Sequence, residues 1–217
     1  MKYKAVVFDL DGTLLDTLED LADSLNRVLR DKGFCTHPTQ AYRYFVGNGS
    51  TSLVSRVLPD EKRNEELIAD CLAAFRRDYK YNWKVKTSPY NGVPELLDAI
   101  TDKGVKMAVL TNKPHDFAEL CVREFFSKWE FAMILGQREG IPLKPDPVGA
   151  CEIARSLNIP TGEFLYLGDS GVDMTTAVRA AMFPVGALWG FRSEQELREH
   201  GAVETIARPI DFIKFIK

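Results

Sequence analysis

The segment Asp9-Leu10-Asp11-Gly12-Thr13 places two carboxylates two residues apart, directly after the apolar, β-branched run Ala5-Val6-Val7-Phe8. In extended chain, residues two apart point to the same side, so both acids face one crevice. Carboxylates gathered at one open end repel each other unless protons or a cation compensate. Hard cations such as magnesium prefer oxygen ligands. Gly12 permits a tight turn and leaves its amide open to a phosphate oxygen. An Asp-Gly pair alone reads equally well as a turn with a capping aspartate; the preceding strand and the second acid favour chemistry.

Three later segments offer matching groups. Thr111-Asn112 follows the apolar run Ala108-Val109-Leu110 and supplies a hydroxyl and amides where a helix begins near Pro114, an arrangement able to hold an anion. Lys144, in Leu143-Lys144-Pro145-Asp146-Pro147, is a cation in a backbone stiffened by two prolines. Asp146 reads as a helix cap there, with Pro147 at the first helical position. Gly168-Asp169-Ser170-Gly171-Val172-Asp173 ends a fourth apolar run and adds two acids four residues apart. A helix starting near Asp169 would bring both close to one face of its first turn. Each of these three has a plain structural reading, as loop, surface lysine or capping acids. Taken with Asp9 and Asp11 they make four carboxylates, enough for a magnesium site completed by water.

These groups need elements to aim them. After Pro89-Tyr90-Asn91-Gly92 the pattern predicts helices at 93–103, 114–124, 147–157 and 171–181. They alternate with strands at 105–110, 131–135, 164–168 and 183–188. Such alternation indicates a parallel sheet with helices on both faces, and ligands of open parallel sheets sit beyond the strands' carboxyl ends. Between residues 16 and 88 the pattern is helical. Leu18, Leu21, Leu25, Val28 and Leu29 recur at helical spacing before Gly33. Further helix over 39–80 is broken at Gly47-Asn48-Gly49, and no strand is predicted between 16 and 88. The expected organisation is an α/β core of residues 1–15 and 89–217 carrying a helical insertion over 16–88.

The chain has 217 residues, 45% hydrophobic and 27% charged, with a net charge of −3. That balance supplies no electrostatic reason to bind nucleic acid or an anionic membrane. No apolar window is long enough to span a bilayer, and Met1-Lys2-Tyr3-Lys4 lacks the apolar stretch of a signal peptide. The four cysteines and three histidines are scattered without metal-ligand spacing, pointing to reduced thiols. A cytoplasmic monomer or homodimer is expected.

The ordered set Asp9-Leu10-Asp11-Gly12-Thr13, Thr111-Asn112, Lys144 and Gly168–Asp173 resembles all four motifs of the haloacid dehalogenase superfamily, across the whole chain. The resemblance implies a Rossmann-like core with a helical cap and a phosphatase acting on a small phosphorylated metabolite. Asp9 would be the nucleophile, forming an aspartyl-phosphate, and Asp11 the general acid and base. Mg2+ would be held by the Asp9 carboxylate, the Asp11 carbonyl and Asp169, with Asp173 supporting. Gly12, Thr111, Asn112 and Lys144 would bind the phosphoryl group. The acid at position 11 sets the chain apart from the family's dehalogenase and phosphonatase branches. Phe45-Val46-Gly47-Asn48-Gly49, Thr111-Asn112-Lys113-Pro114 and Lys144-Pro145-Asp146-Pro147 resemble the phosphoglycolate phosphatase-like branch. Gly47, Asn48 and Gly49 then form a substrate loop, or simply a helix–helix turn. Arg43 and Arg56 are candidates for a substrate carboxylate. A sugar-phosphate mutase shares the four motifs and is the alternative; a phosphate-sensing or partner-binding module is a more distant one.

Overall fold

β1 (Ala5–Phe8) is apolar at every position and entirely buried, as a strand covered on both faces requires. The computed structural model describes residues 2–216. β1 pairs in parallel with β4 (Lys106–Pro114) on one side and β6 (Phe164–Gly168) on the other. With β5 (Met133–Gln137), β7 (Phe183–Ala187) and β8 (Glu204–Ile206), the order is β5-β4-β1-β6-β7-β8, parallel throughout. Alternate residues serve opposite faces. Ala5, Val7, Ala108, Leu110 and Tyr166 pack with Ala150 and Ile153 of α7 (Val148–Leu157) and Ala177 of α8 (Gly171–Arg179). Val6, Phe8, Val109 and Leu167 pack with Leu96 and Ile100 of α5 (Val93–Asp102) and Cys121 of α6 (His115–Phe125). Helices therefore cover both faces.

The chain leaves this sheet after β1 and returns at α5. Its exit, β2 (Leu15–Asp16), and its return, β3 (Ser88–Pro89), pair antiparallel, a two-residue ribbon where no strand is predicted; so short a segment has no periodicity to read. Buried Asp20 secures the return by accepting from the amides of Lys86 and Thr87 and from the Thr87 hydroxyl. Between the two strands of this ribbon lie α1 (Leu18–Asp31), the single turn α2 (Tyr42–Phe45), α3 (Gly49–Val57) and α4 (Glu65–Asn82). The spaced leucines of α1 are buried against α4, and Gly33 follows with φ of 74°, as a helix stop needs.

The predicted boundaries shift in instructive places. β4 continues past Leu110 to Pro114, carrying Thr111, Asn112 and Lys113 out to the site, with its register against β5 shifting over that stretch. α7 begins at Val148, one residue later than predicted, with Asp146 accepting from the Val148 amide. α8 begins at Gly171, so Asp169 lies in the loop before the helix and not in its first turn. α9 (Glu194–Glu199) and β8 extend the fold beyond the last predicted strand. Among the described residues no helix is long and apolar enough to cross a membrane, and all four cysteines are free thiols.

Candidate active site

Asp9 leaves β1 still paired, its amide donating to Leu167 O at 3.0 Å. One of its oxygens, Oδ1, accepts from the Leu10 amide at 2.7 Å and lies 2.9 Å from Lys144 Nζ. Gly12 then turns the chain at φ of 90°. Its amide donates to Leu15 O at 2.8 Å, so, contrary to the expectation of an amide open to a phosphate oxygen, it closes the turn. The absent side chain matters more: a Cβ there would lie 2.4 Å from Asp169 Oδ2. The neighbouring Thr13 hydroxyl donates to Asp169 Oδ1 at 3.0 Å.

Lys144 is buried and central. Its ammonium reaches Asp173 Oδ1 at 2.6 Å, Leu110 O at 3.0 Å and Asp9. Asp173 is oriented from its other side by Ser170, whose hydroxyl donates to Oδ2 at 2.6 Å and whose amide donates at 3.1 Å. This is the reciprocal cap of α8. The same acid thus caps a helix and meets the lysine, and both readings of the Gly168–Asp173 segment hold. Thr111 Oγ1 accepts from the Lys113 amide at 3.3 Å, leaving its own O–H to donate. The Asn112 side chain bonds to both the amide and the carbonyl of Lys144 and to Gly47 O. It braces the site.

Asp9, Asp169 and Asp173 are all buried, and one oxygen from each lies within 4.8 Å of the others. Burial, followed by the charge of Asp173, raises Asp9 to about 8 despite Lys144. Burial and Asp173 likewise raise Asp169 to about 7. Burial works against the Lys144 charge, yet Asp173 and Asp9 hold it well above its ordinary value. One lysine thus leaves the three acids undercompensated. A cluster of hard oxygen donors with surplus negative charge fits a divalent cation such as Mg2+.

Asp9, Asp11, Thr111 and Asn112 line one cavity, together with Gly47 and Gly49 of the insertion. The sheet and the insertion meet over it. Asn112 donates to Gly47 O at 2.9 Å, and Arg192 Nη2 donates to Val46 O at 2.9 Å. Arg43 donates to the carbonyls of Gly190 and Phe191. Arg43 therefore ties the insertion to the sheet, and Arg56 is spent on Phe45 O and the Asn48 side chain. Asn48 faces Arg56, whereas Gly47 and Gly49, with φ of 116° and 83°, bring bare backbone to the cavity wall.

Four further contributors were not among the expected site residues. The Phe191 amide donates to Asp169 Oδ2 at 2.7 Å. Trp189 Nε1 donates to Thr13 O at 2.9 Å. A Cβ on Gly190 would lie 2.2 Å from Asp169 Cβ. Their signal was a glycine between aromatics directly after a strand. The fourth is Lys113, whose ammonium meets Asp11.

The sequence profile described as haloacid dehalogenase-like hydrolase matches residues 6–187. A phosphoglycolate phosphatase of Aquifex aeolicus is 29% identical over 98% of this chain and 96% of its own length. One from Psychrobacter arcticus is 31% identical over 94% and 91%. A crystal structure from Lactobacillus delbrueckii subsp. bulgaricus, provisionally named a phosphoglycolate phosphatase, superposes with a TM-score of 0.93. It is 31% identical, over 100% of this chain and 99% of that one. With the four motifs assembled at the carboxyl ends of one parallel sheet, the chain belongs to the haloacid dehalogenase-like hydrolases and is similar, within them, to the phosphoglycolate phosphatases.

Proposed function

We propose that the protein is a Mg2+-dependent phosphatase that hydrolyses small phosphate monoesters, 2-phosphoglycolate first among the candidates, through an aspartyl-phosphate on Asp9. The observation that carries this reading is Lys144, whose one ammonium reaches both Asp9 and Asp173 from a loop far away in sequence. That arrangement sets a nucleophile beside fixed positive charge, the main requirement of phosphoryl transfer.

The Asp9 carboxylate attacks phosphorus and forms the P–O bond. Its Oδ1 is held by Leu10 N–H and Lys144, while among the described residues Oδ2 has no hydrogen-bond partner. Asp11 gives a proton to the departing ester oxygen. It then takes one from the water that attacks phosphorus, which frees Asp9 and inorganic phosphate. The Thr111 hydroxyl and Lys144 neutralise the phosphoryl oxygens. Asp9, Asp169 and Asp173, with the Asp11 carbonyl, would hold Mg2+, which when bound offsets the gathered negative charge and withdraws electron density from the phosphoryl group. Residues 16–88 act as a cap unit on a core of 1–15 and 89–217, closing the cavity and excluding water.

Phosphate release from a panel of small esters tests this, with Mg2+ and with chelator, for the wild type and Asp9→Asn. Mg2+-dependent release lost in Asp9→Asn is expected. Release that survives the substitution would sink the covalent route, and release indifferent to chelator would sink the metal requirement.

A further inference from the structure

Lys113 is a buried cation that the mechanism above does not use. Its side chain is only 3% exposed, and its ammonium lies 3.1 and 3.2 Å from the two oxygens of Asp11. The third partner is the Tyr79 hydroxyl at 3.1 Å. Burial opposes the lysine's charge, but Asp11 holds it well above its ordinary value. A buried ammonium without a partner is costly, and among the described residues Asp11 is its one ion-pair partner. The two buried lysines thus divide the site: Lys144 serves Asp9 and Asp173, and Lys113 serves Asp11 alone.

Tyr79 comes from α4 of the insertion, and its ring is held between Phe75 of α4 and Phe117 of α6. The ammonium also lies 5.0 Å from the centre of that ring, within cation–π range. Asp11 is therefore gripped from the sheet by Lys113, and Lys113 in turn from the insertion by Tyr79.

We propose that Lys113, braced by Tyr79, is the positioning residue of the acid–base group Asp11. It holds the carboxylate in place at the cavity and stabilises the charge left when Asp11 gives up its proton to the departing oxygen. The two-oxygen contact in the structure is the contact that charged state needs. The assignment rests on the phosphatase reading and adds to it a division of labour between two lysines.

The consequence is a dependence on the leaving group. An alkyl phosphate needs its departing oxygen protonated, whereas p-nitrophenyl phosphate releases a stable phenolate without help. The ratio kcat/KM reports only the steps through phosphorylation of Asp9. In Lys113→Met, kcat/KM for an alkyl phosphate should fall about 100-fold, the lower range of general-acid contributions, and that for p-nitrophenyl phosphate less than about threefold. Tyr79→Phe keeps the ring and the Lys113–Asp11 pair, and should show the same selectivity at about tenfold for the alkyl ester. It covers the case in which Lys113→Met fails to fold. Equal losses for both esters in Tyr79→Phe and in folded Lys113→Met would reduce Lys113 to a structural role and overturn the proposal. Absence of wild-type turnover with either ester would overturn the phosphatase reading, and the proposal with it.

Discussion

The side chain of Asn112 pairs with the backbone of Lys144 as one strand pairs with another. Its Oδ1 accepts from the Lys144 amide at 2.8 Å and its Nδ2 donates to the Lys144 carbonyl at 3.0 Å. The same Nδ2 donates to Gly47 O. One amide therefore fixes the loop that carries Lys144 and ties that loop to the insertion. Asn112→Ala leaves buried groups unsatisfied, at a cost of roughly 1–3 kcal/mol. Thermal melting should show that loss, and kcat/KM should fall by more than stability alone accounts for, because Lys144 loses its frame. Unchanged kinetics would return Asn112 to an ordinary loop role.

On the proposed mechanism, removing the Lys144 charge would strike at phosphoryl transfer directly. Lys144→Met should lower kcat by about 10³-fold or more, the range seen for other transition-state charge partners. It also leaves Asp173 without its cation, so the protein should lose about 3–5 kcal/mol in urea unfolding. A kinetic loss below tenfold would contradict the assigned role.

Gly12 tests close approach. Its φ is 90°, and a Cβ would run into the Asp169 carboxylate. Gly12→Ala must shift either the turn or the acid, with strain of about 1–3 kcal/mol. The expected result is a lower melting temperature together with weakened Mg2+ binding by isothermal titration. Retention of both would mean the turn yields without disturbing Asp169.

Metal addition should stabilise the fold. A ligand bound only by the native state adds about 2.7 kcal/mol at 100-fold excess over its dissociation constant. Mg2+ should therefore raise the wild-type melting temperature, and Asp169→Asn should abolish that rise. A shift that persists in the variant would place the ion elsewhere.

The insertion carries its own pH-dependent clamp. Arg27 Nε and Nη2 on α1 meet the two oxygens of Asp78 on α4 at 2.8 and 2.6 Å. Burial pushes the Asp78 carboxyl up, but hydrogen bonds from Arg27, Ser24 and Asn82, together with the Arg27 charge, outweigh it and hold it below its ordinary value. A depressed folded-state value means the stabilisation is present above the unfolded value of about 3.9 and is lost as pH falls through the folded one. Asp78→Asn should cost roughly 1 kcal/mol at neutral pH. The gap to wild type should close in strong acid, as followed by urea melts across pH. A gap constant with pH would show that the pair contributes packing alone.

Much of this molecule is written in local pattern. The strand–helix alternation after residue 89 and the leucine spacing of α1 are periodicities, and burial of one face enforces them. Asp9 and Asp169 are legible because each directly follows an apolar strand run, and the ordered set with Asp11, Thr111, Lys144 and Asp173 outweighs the plain structural reading that single members have. Tertiary structure alone decided which of these groups meet. That Lys144 serves Asp9 and Asp173 while Lys113 serves Asp11 depends on where four strand ends converge. That Gly12 makes room for Asp169 and does not offer its amide depends on a turn closed by Leu15. The hold of Phe191 on Asp169 arrives from 22 residues further along the chain. Periodicity reports which face of an element is buried; it carries no record of the partner that buries it, and pairings across such separations are set by packing of the whole chain.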